Sequence, residues 1–125
     1  MSDLTGLIDA HLAAYADPDT ARRAAVVQRI WAAGGQLIDP PLAATGHAQI
    51  SQQADQLLAQ FPGHRFVRSS GIDSHHGMAR YAWQLVSPVG AVVLEGIDIA
   101  QLDPEGRLAQ VTGFFGPLPA LEPAS

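Results

Sequence analysis

The chain has no cysteine and no lysine, and each absence closes off a class of function. Without cysteine there is no disulfide framework, no thiolate nucleophile and no Cys-based metal site, and a reducing compartment suits the composition. The seven basic residues are all arginines, scattered at 22, 23, 29, 65, 68, 80 and 107 in a chain of formal net charge −5. No dense basic face is present to meet a phosphate backbone, so nucleic acid is not an expected partner. No uninterrupted apolar run approaches membrane-spanning length, and Asp3 and Asp9 stand where a signal peptide would carry basic residues. A soluble, cytoplasmic protein with no membrane contact is expected. No serine sits in a nucleophile motif, and no Gly-rich loop precedes a helix to hold phosphate. His47 and His64 are isolated, and His75 and His76 are neighbours whose rings would point to opposite faces of a strand. No metal and no other cofactor is therefore expected.

What remains is a 125-residue chain, 47% hydrophobic and 15% charged, enough for one compact core. Leu4, Leu7, Ile8, His11, Leu12 and Tyr15 recur at helical spacing until Asp17-Pro18 stops them. Asp17 then reads as the cap of a second helix, with Ala24, Val27, Ile30 and Trp31 buried, Arg22, Arg23 and Arg29 in water, and Gly34-Gly35 as its end. Residues 36–39 read as a short strand or elbow before Pro40-Pro41. After a loop, Ile50, Ala54, Leu57, Leu58 and Phe61 mark a third amphipathic helix ending at Pro62-Gly63.

From there the period changes to two. Runs over 64–72, 77–86, 91–102 and 108–115 read as strands joined by short turns, hence antiparallel neighbours. The fold class is α+β, with three N-terminal helices on one face of a bent sheet. Residues 1–116 form a single domain in this reading, and 117–125 a Pro- and Ala-rich extended tail.

One residue breaks the strand pattern. Alternation puts Asp98 in a row with Leu94, Gly96, Ala100 and Leu102. A carboxylate buried in such a row must shift its pKa or find a partner, so it is either satisfied by a neighbour such as His11 or the backbone, or it does chemistry. Asp39 has two readings as well, a turn-capping residue before proline or a catalytic base.

The order helix, helix, short strand with Asp39-Pro40, helix and strand meander, together with GIDIAQLDPEGRLAQVTGFFG, resembles the nuclear transport factor 2-like superfamily, which includes ketosteroid isomerase and SnoaL-like polyketide cyclases. The resemblance spans about Leu4 to Gly116. It implies a cone in which a curved antiparallel sheet wraps the helices around a mostly apolar cavity, commonly in a homodimer formed through the outer sheet face. It also implies roles: an Asp placed like Asp39 shuttles a proton between carbons, and one placed like Asp98 stays protonated and donates to an enolate oxygen. The family's second donor, a helix-one tyrosine, is replaced here by His11, with Tyr15 one turn further on. The Asp-Arg-Asp set of limonene epoxide hydrolases is broken, because Gly96 stands at the arginine position.

The expectation is thus a SnoaL-like pocket protein. It is either an isomerase or cyclase moving a proton next to a carbonyl of a small apolar ligand, or a non-catalytic binding or interaction module. Asp39, Asp98 and His11 are the candidate catalytic residues. Tyr15, Trp31, Phe66, Tyr81, Trp83, Val111, Gly113 and Phe115 are the candidate ligand-lining ones.

Overall fold

The computed structural model describes residues 3–123, so the last two positions of the tail lie outside the described residues. Three helices, α1 (Leu4–Tyr15), α2 (Thr20–Ile30) and α3 (Gly46–Gln60), pack against seven strands: β1 (Trp31–Asp39), β2 (Leu42–Thr45), β3 (Arg65–Arg68), β4 (Asp73–His75), β5 (Met78–Val86), β6 (Val92–Leu102) and β7 (Leu108–Phe115). The strands form one curved, unclosed sheet in the order β2-β1-β7-β6-β5-β3, with β4 paired to β5. The α+β cone is as expected, with one refinement. β1 runs parallel to β7, so the sheet is mixed rather than wholly antiparallel. The long chain between β1 and β7 permits this, since a parallel pair needs a crossover rather than a hairpin.

The second helix and the segment after it depart from the sequence reading. The cap is Asp19, whose side chain accepts from Arg22 N at 3.0 Å, while Asp17 accepts from Asp19 N and pairs with the Arg22 side chain. The helix stops at Ile30, and Trp31 opens β1 instead of continuing the helical face. Gly34 and Gly35 lie inside that strand, where the register against β7 shifts between Trp31 and Gln36. A Cβ on Gly35 would meet the Trp31 ring at 2.5 Å, so the glycines admit the bulge that folds this indole inward. β2 falls where a loop is expected, and its four residues pair with the end of β1. Arg23 is not in water: it is 1% exposed and donates to Ser51, to the Asp17 carbonyl and to Asp55. A buried guanidinium is tolerated because its donors find acceptors on α3 and on the α1–α2 loop.

The core lies between helices and sheet, where Ile8, Ile30, Leu37, Ile50, Leu85 and Val111 are almost fully buried. Burying their apolar surface drives the helices onto the concave face. Among the described residues no helix is long and apolar enough to cross a membrane.

Candidate active site

Asp98 faces the helices from the middle of β6, opposite Tyr81 on β5 and Gly113 on β7. It is 5% exposed. The Tyr81 hydroxyl donates to Oδ2 at 2.8 Å and the Trp83 indole N–H to Oδ1 at 2.9 Å. The indole reaches Oδ1 because residue 96 is glycine: a Cβ there would sit 2.7 Å from Trp83 Cε2 and closer still to Cζ2. The cross-strand pair of Trp83 and Gly96 thus places the ring in the space a side chain at position 96 would take.

Asp39 ends β1, one residue before the Pro40-Pro41 turn. Its Oδ2 accepts long hydrogen bonds, 3.4 Å each, from the Tyr15 hydroxyl and Gln53 Nε2, and Gln53 also donates to the Tyr15 oxygen at 2.7 Å. The two carboxylates meet above Gly113. A Cβ on that residue would lie 3.0 Å from Asp98 Oδ1 and overlap Asp39 Oδ1. Both acids therefore occupy space that any other residue type at position 113 would fill.

Burial raises both pKa values. Asp39 moves from 3.8 to about 6, chiefly by desolvation, with the Tyr15 hydrogen bond pulling back. Asp98 moves to about 7, again chiefly by desolvation; the Tyr81 and Trp83 donors lower it and the Asp39 charge raises it. Like charges this close do not both ionise easily, so Asp39 gives up its proton first and holds Asp98's in place. The two tyrosines beside them are pushed up and stay neutral phenols, again mainly by burial.

His11 is 3% exposed, and desolvation lowers its pKa to about 4, so the imidazole is neutral at pH 7. No hydrogen bond joins it to Asp98. It stacks on Tyr15 with ring centroids 5.9 Å apart and meets Trp31 edge-on at 5.5 Å. From Tyr15 the aromatic wall continues through Phe66 at 5.4 Å, Trp83 at 5.3 Å and Phe115 at 5.7 Å.

An inner cavity of about 30 Å³ brings together His11, Tyr15, Asp39, Phe66, Trp83, Asp98 and Phe115, along with Leu12, Leu37, Leu57 and Leu94. It adjoins an outer chamber of about 290 Å³ that shares Tyr15, Asp39, Leu57, Leu94 and Phe115 and adds Pro41, Leu42, Gln56, Gln60 and Phe61. No arginine lines either space. Trp31, Tyr81 and Val111 stand outside both. Trp31 backs His11, Tyr81 lies behind Asp98, and Val111 is fully buried in the core. Gln53 escaped the sequence reading. Its signal is there, since Gln53 interrupts the apolar stripe Ile50, Ala54, Leu57 at helical spacing, as Asp98 interrupts its strand row.

No protein-family model and no curated protein sequence matches the chain. Solved structures do. One, a proposed isomerase of the SnoaL-like family from Agrobacterium tumefaciens strain C58, is 33% identical with a TM-score of 0.86, over 90% of this chain and 97% of that one. A protein of unknown function with a cystatin-like fold from Nostoc punctiforme shares 17% identity with a TM-score of 0.72, over 91% and 89% of the two chains. A proposed SnoaL-like polyketide cyclase from Jannaschia sp. CCS1 shares 18% with a TM-score of 0.64, over 92% and 89%. The latter two likenesses speak to fold alone, whereas the first, close in identity and nearly complete in coverage, carries kinship: the chain belongs to the SnoaL-like family.

Proposed function

We propose that the protein is a cofactor-independent isomerase or cyclase that moves a proton next to a carbonyl of a small, uncharged, largely apolar substrate. The observation that carries this reading is the convergence of two carboxyl groups over Gly113, with pKa values raised to about 6 and about 7 in an aromatic-walled space. Asp39 is the base. It takes the proton from the carbon next to the carbonyl and, in an isomerisation, returns it to a different carbon. Asp98 is the acid that steadies the enolate between those steps. Trp83 can only donate, to Oδ1, so a neutral Asp98 carries its proton on Oδ2, and it offers that proton to a ligand oxygen when Tyr81 donates to Oδ2 rather than accepting from it. A donor whose bond strengthens as negative charge develops lowers the barrier selectively. With no arginine around the cavity, an anionic substrate would find two acids and no counter-charge.

A second reading also has an observation behind it. Both Asp98 oxygens already hold donors, and the inner cavity of about 30 Å³ is little more than the room one water needs. That favours a binding module whose ligand occupies only the outer chamber. In either case we take the protein to be a homodimer through the outer sheet face, where the register partners Ile97 and Phe114 are 44% and 61% exposed. Its mass in solution checks that point.

The function is tested by turnover on small β,γ-unsaturated ketones, followed as the conjugated enone forms. The expected profile is a bell with limbs near 6 and 7, since the base must be ionised and the acid protonated. Asp39→Asn should lose about 10²–10⁴-fold while keeping its circular dichroism. Binding of the ketones without turnover, and with Asp39→Asn binding equally well, supports the module instead.

A further inference from the structure

Away from the cavity, the β4–β5 hairpin carries His75, His76, Gly77 and Met78 at its tip. Strand alternation would separate the two imidazoles, but His76 is in the left-handed conformation at φ 49°, followed by Gly77 at φ 75°. Two successive positive φ values suit the tight hairpin turn that matches strand twist. The consequence is chemical: the turned-back chain brings the two Nδ1 atoms to 3.1 Å, on rings that are both exposed. Two nitrogens bound at about 2.0–2.1 Å to one ion, at an angle near or slightly above a right angle, lie about 3 Å apart. The spacing that one shared proton gives this pair is therefore also the bite of a metal ion.

A third donor is carried by the facing strand of the same hairpin. Met78 is the register partner of His75, is 39% exposed, and lines with it a shallow hollow that also includes Asp73, Ala79, Arg80 and Ile99. Among the described residues no group of three His, Asp or Glu is gathered for a metal. Here the donor that makes up the set is a thioether. Asp73 is taken up by Arg80, whose Nε and Nη2 each lie 2.9 Å from its Oδ2, which leaves a neutral set of two imidazoles and one soft sulfur. Hard ions such as Mg²⁺ and Ca²⁺ seek oxygen, whereas imidazole with thioether suits copper, the thioether favouring the cuprous state.

We propose that the hairpin tip is a surface site for Cu(I), held by His75, His76 and Met78. Binding shifts the shared Nδ1 proton to the Nε2 of its own ring, so that both neutral imidazoles present an Nδ1 lone pair to the ion, and leaves the other positions of the ion open. The test is an anaerobic titration of the full chain with Cu(I) in competition with a coloured Cu(I) chelator. One equivalent is expected to bind. His76→Asn keeps a residue that tolerates the left-handed turn and removes the imidazole. It should weaken binding by at least about tenfold, the lower end of what losing even an outer-shell partner costs a metal site. Met78→Leu should weaken Cu(I) while leaving Cu(II) binding unchanged. A wild type that takes up no more Cu(I) than the His75→Gln/His76→Asn double variant overturns the site. Equal loss of Cu(I) and Cu(II) in Met78→Leu overturns the thioether's part in it.

Discussion

The two acids sit a few residues' width apart on one sheet and live under different rules. Asp98 is fastened: it lies mid-strand, both oxygens hold donors at 2.8 and 2.9 Å, and Gly96 locks the indole that supplies one of them. Asp39 is loosely held at a strand end, where its hydrogen bonds stretch to 3.4 Å and its carboxylate borders the outer chamber as well as the inner one. A group that must pick up and release a proton each turnover gains from the second setting. A group that must hold its proton while a substrate passes gains from the deep burial of the first, which outweighs the two donors that on their own favour the ionised form. The fold thus separates two chemically identical side chains by how tightly their surroundings are built.

The largest expected effect in this comparison is on stability against pH. Both carboxyls have folded pKa values above their ordinary 3.8, so between the two values the folded state binds protons that the unfolded state has released. Their contribution is full below about pH 4 and is lost as pH rises through the folded value. His11, lowered to about 4, pulls the other way over its own range, so each comparison is made against a variant that leaves His11 in place. From pH 5 to 8, wild type should lose about 2–3 kcal/mol relative to Asp98→Asn but only about 1 kcal/mol relative to Asp39→Asn. Urea denaturation at the two pH values measures both. Equal losses would erase the distinction drawn between fastened and loose acid.

Next comes Gly113→Ala. The added methyl overlaps Asp39 Oδ1 and lies 3.0 Å from Asp98 Oδ1, so one carboxylate must move. The one at the strand end gives way more easily. Overpacking of this kind costs about 1–3 kcal/mol. As the Asp39 charge is displaced, the Asp98 pKa should fall toward the ordinary range, which carbon-13 carboxyl NMR reads directly. An Asp98 signal unmoved in a folded variant would mean that burial alone holds its proton.

How much of this is legible in the sequence depends on the kind of residue. Asp98 announces itself, because a charge in an apolar strand row is a local anomaly that needs no partner to be seen. The helix stripes and the four strand runs are readable from their periods for the same reason. The strand β4 is not, since it falls on the turn expected after the first run and depends on one tight hairpin to β5, and neither are the strand identity of Trp31 and the parallel β1–β7 pair, which are fixed by contacts between distant segments. The Gly34-Gly35 pair misleads, since glycine can end a helix or bend a strand, and only the Trp31 ring packed against it decides. Arg23 misleads for a related reason: its acceptors Ser51 and Asp55 lie on another helix, about 30 positions further along. Likewise the meeting of His75 and His76 depends on one left-handed residue, a conformation that a histidine in the sequence does not advertise.

The smallest effect belongs to Tyr15→Phe, and it bears on the loose acid alone. The hydroxyl accepts from Gln53 at 2.7 Å and donates to Asp39 at 3.4 Å, so its removal takes away the better of the two bonds made by a buried amide and one of the two equally long bonds reaching the carboxylate. Losing the Gln53 partner costs about 1 kcal/mol. The lost donor had lowered the Asp39 pKa, so that value should rise, by less than about one unit given the length of the bond. In the pH–rate profile the acidic limb moves upward and narrows the bell, while the Asp98 limb stays where it was, because no hydrogen bond joins Tyr15 to Asp98. A shift of the alkaline limb instead would show that the two acids titrate as one inseparable unit, and that the looser setting of Asp39 does not set its proton affinity independently.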